Sequence, residues 1–467
     1  MASDLLYRSA VELRELVLAK EVSPVELLDH SLARLEEVEP GLNSFVTVTE
    51  DVARDAARSA EKAVMDGDPP GLLHGLPISV KDLIAMDGVR WTFGSKSTAD
   101  NVAAFDAPAV ERVRKAGAVI LGKTTTSEFG CKAVGDCPLT GITRNPWNLA
   151  KTPGGSSAGA AASVASGVTP FALGTDGGGS VRIPGSLTGL FTVKPQFARV
   201  PIFPESAAPT LSHVGPMTRT VRDAALLLTA IAGFDRRDPF SVAEAVPDFP
   251  AACEQPVTGM RIAWSPTLGY ARPVREVVAL CEKAVGTLED LGCEVDLVDK
   301  VMDRDPADMW NSEFYASIGT RLNPVLAGQP ELLDPAVVEM LSGALDRTVG
   351  EYWTRVFDRY RFREEMRRFM EDYDLLVSPV LPVPAFDVGL NAPPEMPEAN
   401  AVSWVSYTYP FNLTGQPGAS LPVGWTQNGL PVGLQLISKS LCETDIFRLA
   451  AAFEAARPWA DRKPPMA

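Results

Sequence analysis

The sequence predicts an α/β fold, in which helices cover a β-sheet. Two short apolar segments, 76–80 and 118–121, are typical of buried strands, and a helical pattern lies between them at 107–116. Near residue 260 the same alternation returns, with strand-like segments at 261–264 and 294–297 on either side of a helical pattern. Alternating strands and helices are typical of a sheet with covering helices.

The N-terminal part of the sequence carries helix-start signals. Ser9 with Glu12, and Ser23 with Glu26, have the spacing of capping boxes, in which each side chain satisfies an unpaired backbone N–H of the first turn. Pro24 would occupy the first position of the second helix, where its missing N–H costs little. We therefore expect the first 65 residues to be helical.

Charge and composition exclude several kinds of partner. The 467 residues include 43 Lys and Arg and 59 Asp and Glu, which gives a net charge of −16. Nucleic acids and anionic membranes attract basic patches, so we expect neither as a partner. No apolar run approaches the roughly 20 residues of a spanning helix, and the first ten residues do not resemble a signal peptide. We expect a cytoplasmic protein.

Metal-ligating residues are scarce. The six cysteines form no C-x-x-C pair, and the three histidines, His30, His74 and His213, are scattered along the chain. This pattern disfavours a zinc site or a disulfide framework. We therefore predict no metal site, and we interpret the three histidines as surface or packing residues.

The segment 177–180, Gly-Gly-Gly-Ser, is the most unusual feature of the sequence. Consecutive glycines let the backbone turn sharply, and their N–H groups can converge on one point as an anion-binding nest. A serine at the end of such a nest has the arrangement that acyl transfer requires, a nucleophile beside an oxyanion hole. A phosphate-binding loop or a plain tight turn are the alternatives, although the Walker and G-x-S-x-G motifs are both absent.

A serine nucleophile needs a base, and lysine is a candidate. Burial lowers the pKa of a lysine and can keep its amine neutral. Lys81 follows the apolar segment 76–80 directly, at a position where a lysine could be buried. Taken alone, Lys81 is better explained as a surface residue at a strand end.

Several motifs, in order along most of the chain, resemble those of the amidase signature family. They are Leu76-Pro-Ile-Ser-Val-Lys-Asp82, Gly122-Lys-Thr-Thr-Thr-Ser-Glu-Phe129, Arg144-Asn-Pro-Trp-Asn148, Gly154-Gly-Ser-Ser-Ala-Gly159, Gly174-Thr-Asp-Gly-Gly-Gly-Ser-Val-Arg-Ile-Pro184, Phe411-Asn-Leu-Thr-Gly415 and Gly429-Leu-Pro-Val-Gly-Leu-Gln435. The combination is far more specific than any one glycine-rich loop. The resemblance implies an α/β amidase signature fold, a central mixed β-sheet covered on both sides by α-helices.

The resemblance also implies a way of dividing the chain. We predict that residues 1–467 form a single domain. Its expected segments are the N-terminal helices (1–65), the catalytic core (70–235), a helical cap-like elaboration (240–400) and a return to the core sheet (404–440).

The catalytic set that the resemblance implies is Ser–cis-Ser–Lys. By motif match, Ser180 is the nucleophile, Lys81 is the base, and Ser156, after a cis Gly155–Ser156 peptide bond, is the bridging serine. The backbone N–H groups of residues 177–180 would form the oxyanion hole, with Gly177, Gly178 and Gly179 as its glycines. No metal or organic cofactor is implied.

Other positions are expected to support this set. Asp176 and Arg182 flank the nucleophile, and we predict a charge-assisted pair that fixes the loop. Ser157 is expected to hydrogen-bond near the lysine. Gly177 departs from the family pattern, which more often has isoleucine or threonine there.

The residues that bind substrate are less well defined by the sequence. Similar positions in relatives line the acyl pocket, which makes Phe129, Gly130 and Cys131 candidates, with core packing as the alternative. Four late aromatic residues are likewise either pocket or core: Trp404, Tyr407, Tyr409 and Phe411.

The resemblance predicts a serine hydrolase that cleaves C–N acyl bonds through an acyl-enzyme on Ser180. The expected substrates are amides or carbamates (urethanes) that are small and partly aromatic, with aryl amides and aryl urethanes as the leading candidates. One alternative is the glutaminase A subunit of a tRNA-dependent amidotransferase, which would need a partner subunit. Another is a non-catalytic binding protein on the same fold. A small-molecule substrate and a homodimer are the expected partners.

Overall fold

The computed structural model describes residues 5–466, so the first four residues of the predicted N-terminal helical segment lie outside the described part. Fourteen helices are described in this part of the chain. They are α1 (Ala10–Leu18), α2 (Pro24–Leu42), α3 (Glu50–Asp66), α4 (Pro108–Lys115), α5 (Ala158–Ala165), α6 (Arg182–Thr188), α7 (Val221–Ile231), α8 (Phe249–Ala252), α9 (Arg275–Asp290), α10 (Ala307–Gly328), α11 (Pro335–Leu345), α12 (Val349–Phe369), α13 (Pro410–Thr414) and α14 (Glu443–Ala456). Short 3₁₀ helices lie at Lys96–Thr98, Glu128–Gly130 and Pro330–Leu332.

Strands from both ends of the chain form one 11-stranded sheet, and a two-stranded ribbon lies apart from it. The strands are β1 (Phe45–Val48), β2 (Pro77–Lys81), β3 (Val119–Thr124), β4 (Asp136–Cys137), β5 (Gly141–Ile142), β6 (Phe171–Asp176), β7 (Phe191–Lys194), β8 (His213–Thr218), β9 (Arg261–Trp264), β10 (Glu294–Leu297), β11 (Leu375–Pro379), β12 (Gly418–Trp425) and β13 (Pro431–Ser438). The large sheet has the order β1-β3-β2-β6-β8-β7-β12-β13-β11-β9-β10.

The sheet is mixed, as predicted. Strands β3, β2 and β6 run parallel to one another, as do β11, β9 and β10, whereas the strands between these two groups pair antiparallel. The parallel pairs need long crossover connections, and helices supply them. The structure confirms the α/β fold with a mixed sheet flanked by helices.

The first 65 residues are not entirely helical. Both predicted capping boxes are present, because Ser9 and Ser23 accept from the N–H groups of Glu12 and Glu26, whose carboxylates accept in return. The segment Phe45–Val48, however, is a strand that pairs antiparallel with β3. Two of its four residues are β-branched valines, which favour a strand, and this strand forms the edge of the sheet beside β3.

The segment 240–400 contributes strands to the main sheet as well as helices. Strands β9, β10 and β11 lie within it and extend the sheet beyond β13. The three consecutive helices α10, α11 and α12 occupy residues 307–369, and α10 packs against each of the other two. Part of the segment predicted as a helical elaboration therefore belongs to the sheet, because the apolar strands at 261–264 and 375–379 need burial on both faces.

Helix α5 carries small side chains, and this composition determines where it can lie. Each of its eight residues is buried, and the sequence Ala-Gly-Ala-Ala-Ala-Ser-Val-Ala lets the helix approach strands β2 and β6 closely. A side chain at Gly159 would overlap the carbonyl oxygen of Ser44. Close packing brings the N-terminus of α5, which follows Ser156 and Ser157, against the end of β2.

No helix within residues 5–466 is both long enough and apolar enough to cross a membrane.

Candidate active site

The polar residues of the site lie at the carboxyl ends of strands β2 and β6. The two strands are parallel neighbours, with Val80 opposite Leu173, so their carboxyl ends lie side by side. Lys81 is the last residue of β2, and Thr175 lies one residue before the end of β6. The serines that precede α5 meet these two residues there, so that groups 75 to 94 residues apart in sequence become neighbours.

Lys81 is fully buried and is surrounded by hydroxyl groups. Its Nζ lies 2.7 Å from Ser156 Oγ, 2.9 Å from Ser157 Oγ and 2.8 Å from Thr175 Oγ1. Burial lowers the pKa of Lys81 well below the ordinary range of a lysine, and the charge of Asp176 opposes this shift only in part. The surroundings therefore favour a neutral amine, which can accept a proton.

Hydrogen bonding around the lysine restricts the direction in which a proton can move. Ser157 Oγ donates to the backbone oxygen of Thr175 at 3.2 Å, so it can only accept from Lys81. A neutral amine has two N–H groups and one lone pair. If the N–H groups go to Ser157 and Thr175, the lone pair faces the hydroxyl of Ser156.

The bridging serine occupies a tightly enclosed position. The Gly155–Ser156 peptide bond is cis, as the resemblance implies, and Ser156 is 1% exposed. A Cβ at Gly155 would overlap the backbone oxygen of Val134, so a larger residue cannot take this place. On the other side, a Cβ at Gly130 would lie 3.3 Å from Ser156 Oγ. Backbone on both sides therefore fixes the position of the hydroxyl.

The loop 177–180 follows β6 and brings Ser180 to the same cavity as Ser156. The hydroxyls of these two described residues are not hydrogen-bonded to each other, although the backbone N–H of Ser157 donates to the Ser180 oxygen at 3.2 Å. Gly177 and Ser180 line the cavity, and the buried Gly178 and Gly179 lie between them in the loop without being among its lining residues. The loop thus places a serine hydroxyl beside a row of backbone amides.

One of the predicted oxyanion donors is engaged elsewhere. The N–H of Gly179 donates to Asp176 Oδ1 at 2.8 Å, so the assignment of Gly179 to the oxyanion hole is not supported. Asp176 must satisfy its own buried oxygens, and the third glycine of the loop is within reach. The N–H groups of Gly177, Gly178 and Ser180 donate to no residue in the described chain.

Asp176 and Arg182 form the expected pair beneath the loop. Arg182 donates from Nε and Nη2 to the two carboxylate oxygens, each at 3.0 Å, and both residues are fully buried. Burial alone would raise the pKa of Asp176, but the guanidinium holds it below its ordinary range. Arg182 also donates to Asn412 Oδ1 and Gln435 Oε1, which ties the loop to β13 and to helix α13.

Two residues near the site were not predicted from the sequence. Thr175 contacts the lysine directly. The sequence feature that could have identified it is its position immediately before Asp176, at the end of a strand-like segment. His213, interpreted as a surface or packing histidine, is buried at the start of β8, opposite Asp176, and borders the cavity. Its Nδ1 lies 2.8 Å from the backbone oxygen of Leu211, and burial together with the nearby Lys194 lowers the pKa of His213 well below its ordinary range.

The cavity beside Ser156 and Ser180 has a volume of about 1190 Å³ including its open mouth. Its walls are largely apolar, and the rings of Phe93 and Phe129 stack within it with centroids 5.6 Å apart. Arg321 and Glu205 lie at its edge and pair with each other at 2.6 Å. The shape and lining suit an uncharged, partly aromatic molecule.

Not every predicted substrate-binding residue lies on the cavity. Phe129 and Gly130 border it, but Cys131 does not. Cys131 is buried beneath Tyr315, which donates to its backbone oxygen at 2.9 Å, and burial raises the pKa of the thiol well above its ordinary range. The positive φ of both Phe129 and Gly130 turns the chain inward immediately before Cys131.

The four late aromatic residues belong to the core. All are at most 1% exposed, and none lines the cavity. They are Trp404, Tyr407, Tyr409 and Phe411. Within residues 5–466, no group of three His, Cys, Asp or Glu side chains is placed to hold a metal ion.

Comparison with known proteins shows similarity to amidases over nearly the whole chain. The family model for Amidase matches residues 26–447. An acylamidase of Rhodococcus erythropolis is 37% identical over 99% of this chain and 98% of its own length. The A subunit of the glutamyl-tRNA(Gln) amidotransferase of Nitrosococcus oceani is 33% identical over 98% of this chain and 99% of its own length. The crystal structure of a bacterial aryl acylamidase of the amidase signature family superimposes with a TM-score of 0.91 and 31% identity, over 97% of each chain.

Proposed function

Because the chain belongs to the amidase signature family, we propose that it is a free-standing hydrolase of small aryl amides or aryl urethanes. In this proposal Ser180 is the nucleophile, Ser156 relays the proton and Lys81 is the base. The observation that carries the assignment is the 2.7 Å contact between Lys81 Nζ and Ser156 Oγ in a fully buried setting. A buried lysine aimed at a serine hydroxyl is costly for stability and is explained by proton transfer.

The first half of the reaction forms an acyl-enzyme. The neutral amine of Lys81 takes the proton of Ser156, whose oxygen takes the proton of Ser180 as its Oγ attacks the carbonyl carbon. The carbonyl oxygen becomes an oxyanion and accepts from the free backbone N–H groups at 177, 178 and 180. When the C–N bond breaks, Ser156 gives its proton to the leaving nitrogen and takes one back from Lys81, so the product amine departs and Lys81 is neutral again.

Water completes the second half of the reaction by the same route. Ser156, with Lys81 behind it, removes a proton from water, and the hydroxide attacks the ester that joins the acyl group to Ser180. Collapse of the second oxyanion returns the proton to Ser180 and releases the acid. With a urethane, the acid is a carbonate half-ester, which loses CO2 to leave an alcohol.

The cavity supports a substrate without charge. Arg321 and Glu205 are the charged residues on its border, and each neutralises the other at the mouth. Stacked Phe93 and Phe129 offer a flat apolar surface to an aromatic ring. The likeness to an acylamidase and to an aryl acylamidase points to the same class.

The alternative, a glutaminase subunit, rests on the likeness to amidotransferase A subunits. Glutamine carries an ammonium and a carboxylate, which need charged partners when they leave water. A largely apolar cavity whose charged pair is already satisfied fits such a molecule poorly.

A substrate panel tests the proposal. The isolated protein is incubated with an anilide, an aryl urethane, an aryl ester and glutamine, and products are identified by mass spectrometry. We expect release of the arylamine from the anilide or the urethane. We expect no glutamate from glutamine. Hydrolysis of glutamine alone would contradict the proposal and favour the amidotransferase subunit.

A further inference from the structure

Helix α10 is hydrogen-bonded to the nucleophile loop through the side chain of Trp310. Its indole Nε1–H donates to the backbone oxygen of Gly177 at 2.8 Å, across 133 positions of sequence. Trp310 is 3% exposed and does not border the cavity. The Gly177 oxygen is therefore held on the side of the loop that faces away from the substrate.

The hydrogen bond to Gly177 also orients the next amide. In a trans peptide the C=O and N–H groups point in opposite directions, so fixing the Gly177 oxygen fixes the N–H of Gly178. That N–H donates to no residue in the described chain, although Gly178 is buried. A buried N–H without a partner is costly, and an oxyanion in the cavity would satisfy it.

The next peptide, Gly178–Gly179, is held by a different side chain. Thr408 Oγ1 donates to the Gly178 oxygen at 2.6 Å, and the following N–H, that of Gly179, goes to Asp176. The structure thus holds two successive peptides by their oxygens, but only the first leaves its N–H free. Trp310 therefore holds the peptide whose amide remains available.

The glycines of the loop are matched to the aromatic residues of α10. A Cβ at Gly177 would lie 2.7 Å from the ring of Phe314, and a Cβ at Gly178 would lie 2.5 Å from the indole of Trp310. The two rings stack with centroids 4.5 Å apart, and Tyr409 stacks on the other side of Trp310 at 5.6 Å. Glycine at 177, where the family more often has isoleucine or threonine, makes room for this stack.

We propose that Trp310 is a positioning residue, whose indole N–H holds the Gly177–Gly178 peptide so that the Gly178 N–H faces the oxyanion formed at Ser180. This inference rests on the proposed function. Beyond that function, it assigns to a side chain of helix α10 a role in setting the geometry of the oxyanion hole.

Two variants of the full-length protein test the role of the indole. Trp310→Phe removes the N–H and part of the ring, and 3-benzothienylalanine at the same position replaces the N–H by sulfur while keeping the bicyclic shape. We expect both to lower kcat on the anilide about 10- to 100-fold, less than the loss on deleting an oxyanion donor outright, with KM little changed. The pH profile should stay as in wild type, because the lysine relay is not touched.

Trp459→Phe is the matched control. Its indole also donates to a backbone oxygen at 2.8 Å and Trp459 is 4% exposed, but that oxygen belongs to Arg219, which is outside the nucleophile loop and does not line the cavity. We expect wild-type kcat from this variant. Equal kcat for both Trp310 variants and the control, or a loss confined to KM, would overturn the inference. If Trp310→Phe fails to fold by circular dichroism, the benzothienyl variant decides.

Labelling of Ser180 separates this inference from the proposed function. Phenylmethylsulfonyl fluoride should sulfonylate Ser180 of the wild type, as read by mass spectrometry of peptides, and more slowly in both Trp310 variants. A wild type that neither hydrolyses the panel nor becomes labelled overturns both proposals. An active, labelled wild type whose Trp310 variants label equally fast overturns the inference alone.

Discussion

At the scale of single residues, the site depends on a lysine whose surroundings decide its charge. Lys81 has three hydroxyl neighbours and no carboxylate in contact, so burial controls its pKa. Lys123, equally buried, forms a 3.0 Å ion pair with Asp82 instead. Two buried lysines on adjacent strands thus have different surroundings, and of the two only Lys81 is placed to act as a base.

Replacement of the nucleophile should abolish activity without unfolding the protein. We expect Ser180→Ala to retain below about 1% of wild-type turnover, because removal of a nucleophile typically costs several orders of magnitude. The Ser180 hydroxyl stabilises no other described residue through a hydrogen bond, so the melting temperature should stay close to that of wild type. Residual turnover well above this level would exclude Ser180 as nucleophile.

The pH dependence should report the lysine. Because the neutral amine is the active form, kcat/KM should rise with pH as Lys81 loses its proton, and level off above its pKa. The midpoint should lie below the ordinary lysine value of 10.5, since burial lowers the pKa of Lys81. Initial rates on an anilide from about pH 6 to 9 provide the measurement. A flat profile over that range, with the protein still folded, would count against the lysine base.

At the scale of elements, a buried arginine joins parts of the chain that lie far apart in sequence. Arg182, at the start of α6, contacts Asp176 of β6, Asn412 of α13 and Gln435 of β13. Its planar guanidinium holds five N–H donors in a fixed fork, so it can bind both oxygens of Asp176 and still donate to the other two residues, whereas a lysine ammonium has three donors and no fork. The nucleophile loop is therefore fixed by groups that come from both halves of the sequence.

Loss of this arginine should destabilise the fold. In Arg182→Leu the buried carboxylate of Asp176 keeps its charge without a partner, and breaking such a pair typically costs about 3–5 kcal/mol. Urea unfolding followed by circular dichroism measures the change. Arg367→Leu is the control, because Arg367 is exposed and pairs only with surface glutamates, and it should change stability little. Similar unfolding curves for both variants would contradict this account.

At the scale of the whole molecule, the homodimer remains a prediction, and helix α12 offers a surface for it. Val349, Trp353, Phe357 and Tyr360 recur at helical spacing and are 75%, 49%, 58% and 66% exposed. Three such aromatic residues and a valine could bury roughly 400 Å² per subunit, so that a twofold contact with its polar rim could approach the size of a specific interface.

Sedimentation of the purified protein tests the homodimer. We expect a dimer for wild type and a monomer for Trp353→Glu with Phe357→Glu, because buried carboxylates would oppose the contact. Replacement of Phe234, which is 59% exposed on another part of the chain, is the control and should leave the dimer intact. A monomeric wild type at micromolar concentration would refute the homodimer.

Much of this protein could be predicted from the sequence because the responsible features are local. Strand 261–264, strand 294–297 and both capping boxes follow from side-chain patterns within a few residues. The motifs around residues 81, 156 and 180 identified the family in the same way, as ordered short segments.

The tertiary structure decided what depends on contacts across the chain. The sequence alone could not exclude Gly179 as an oxyanion donor. Its N–H donates to the Asp176 carboxylate, which only the folded loop brings within reach. Likewise, Trp310 meets Gly177, and Cys131 turns away from the cavity, because of packing between distant elements. The lowered pKa of Lys81 belongs to this second group, since burial is a property of the assembled sheet and helices and not of the residues beside the lysine in the chain.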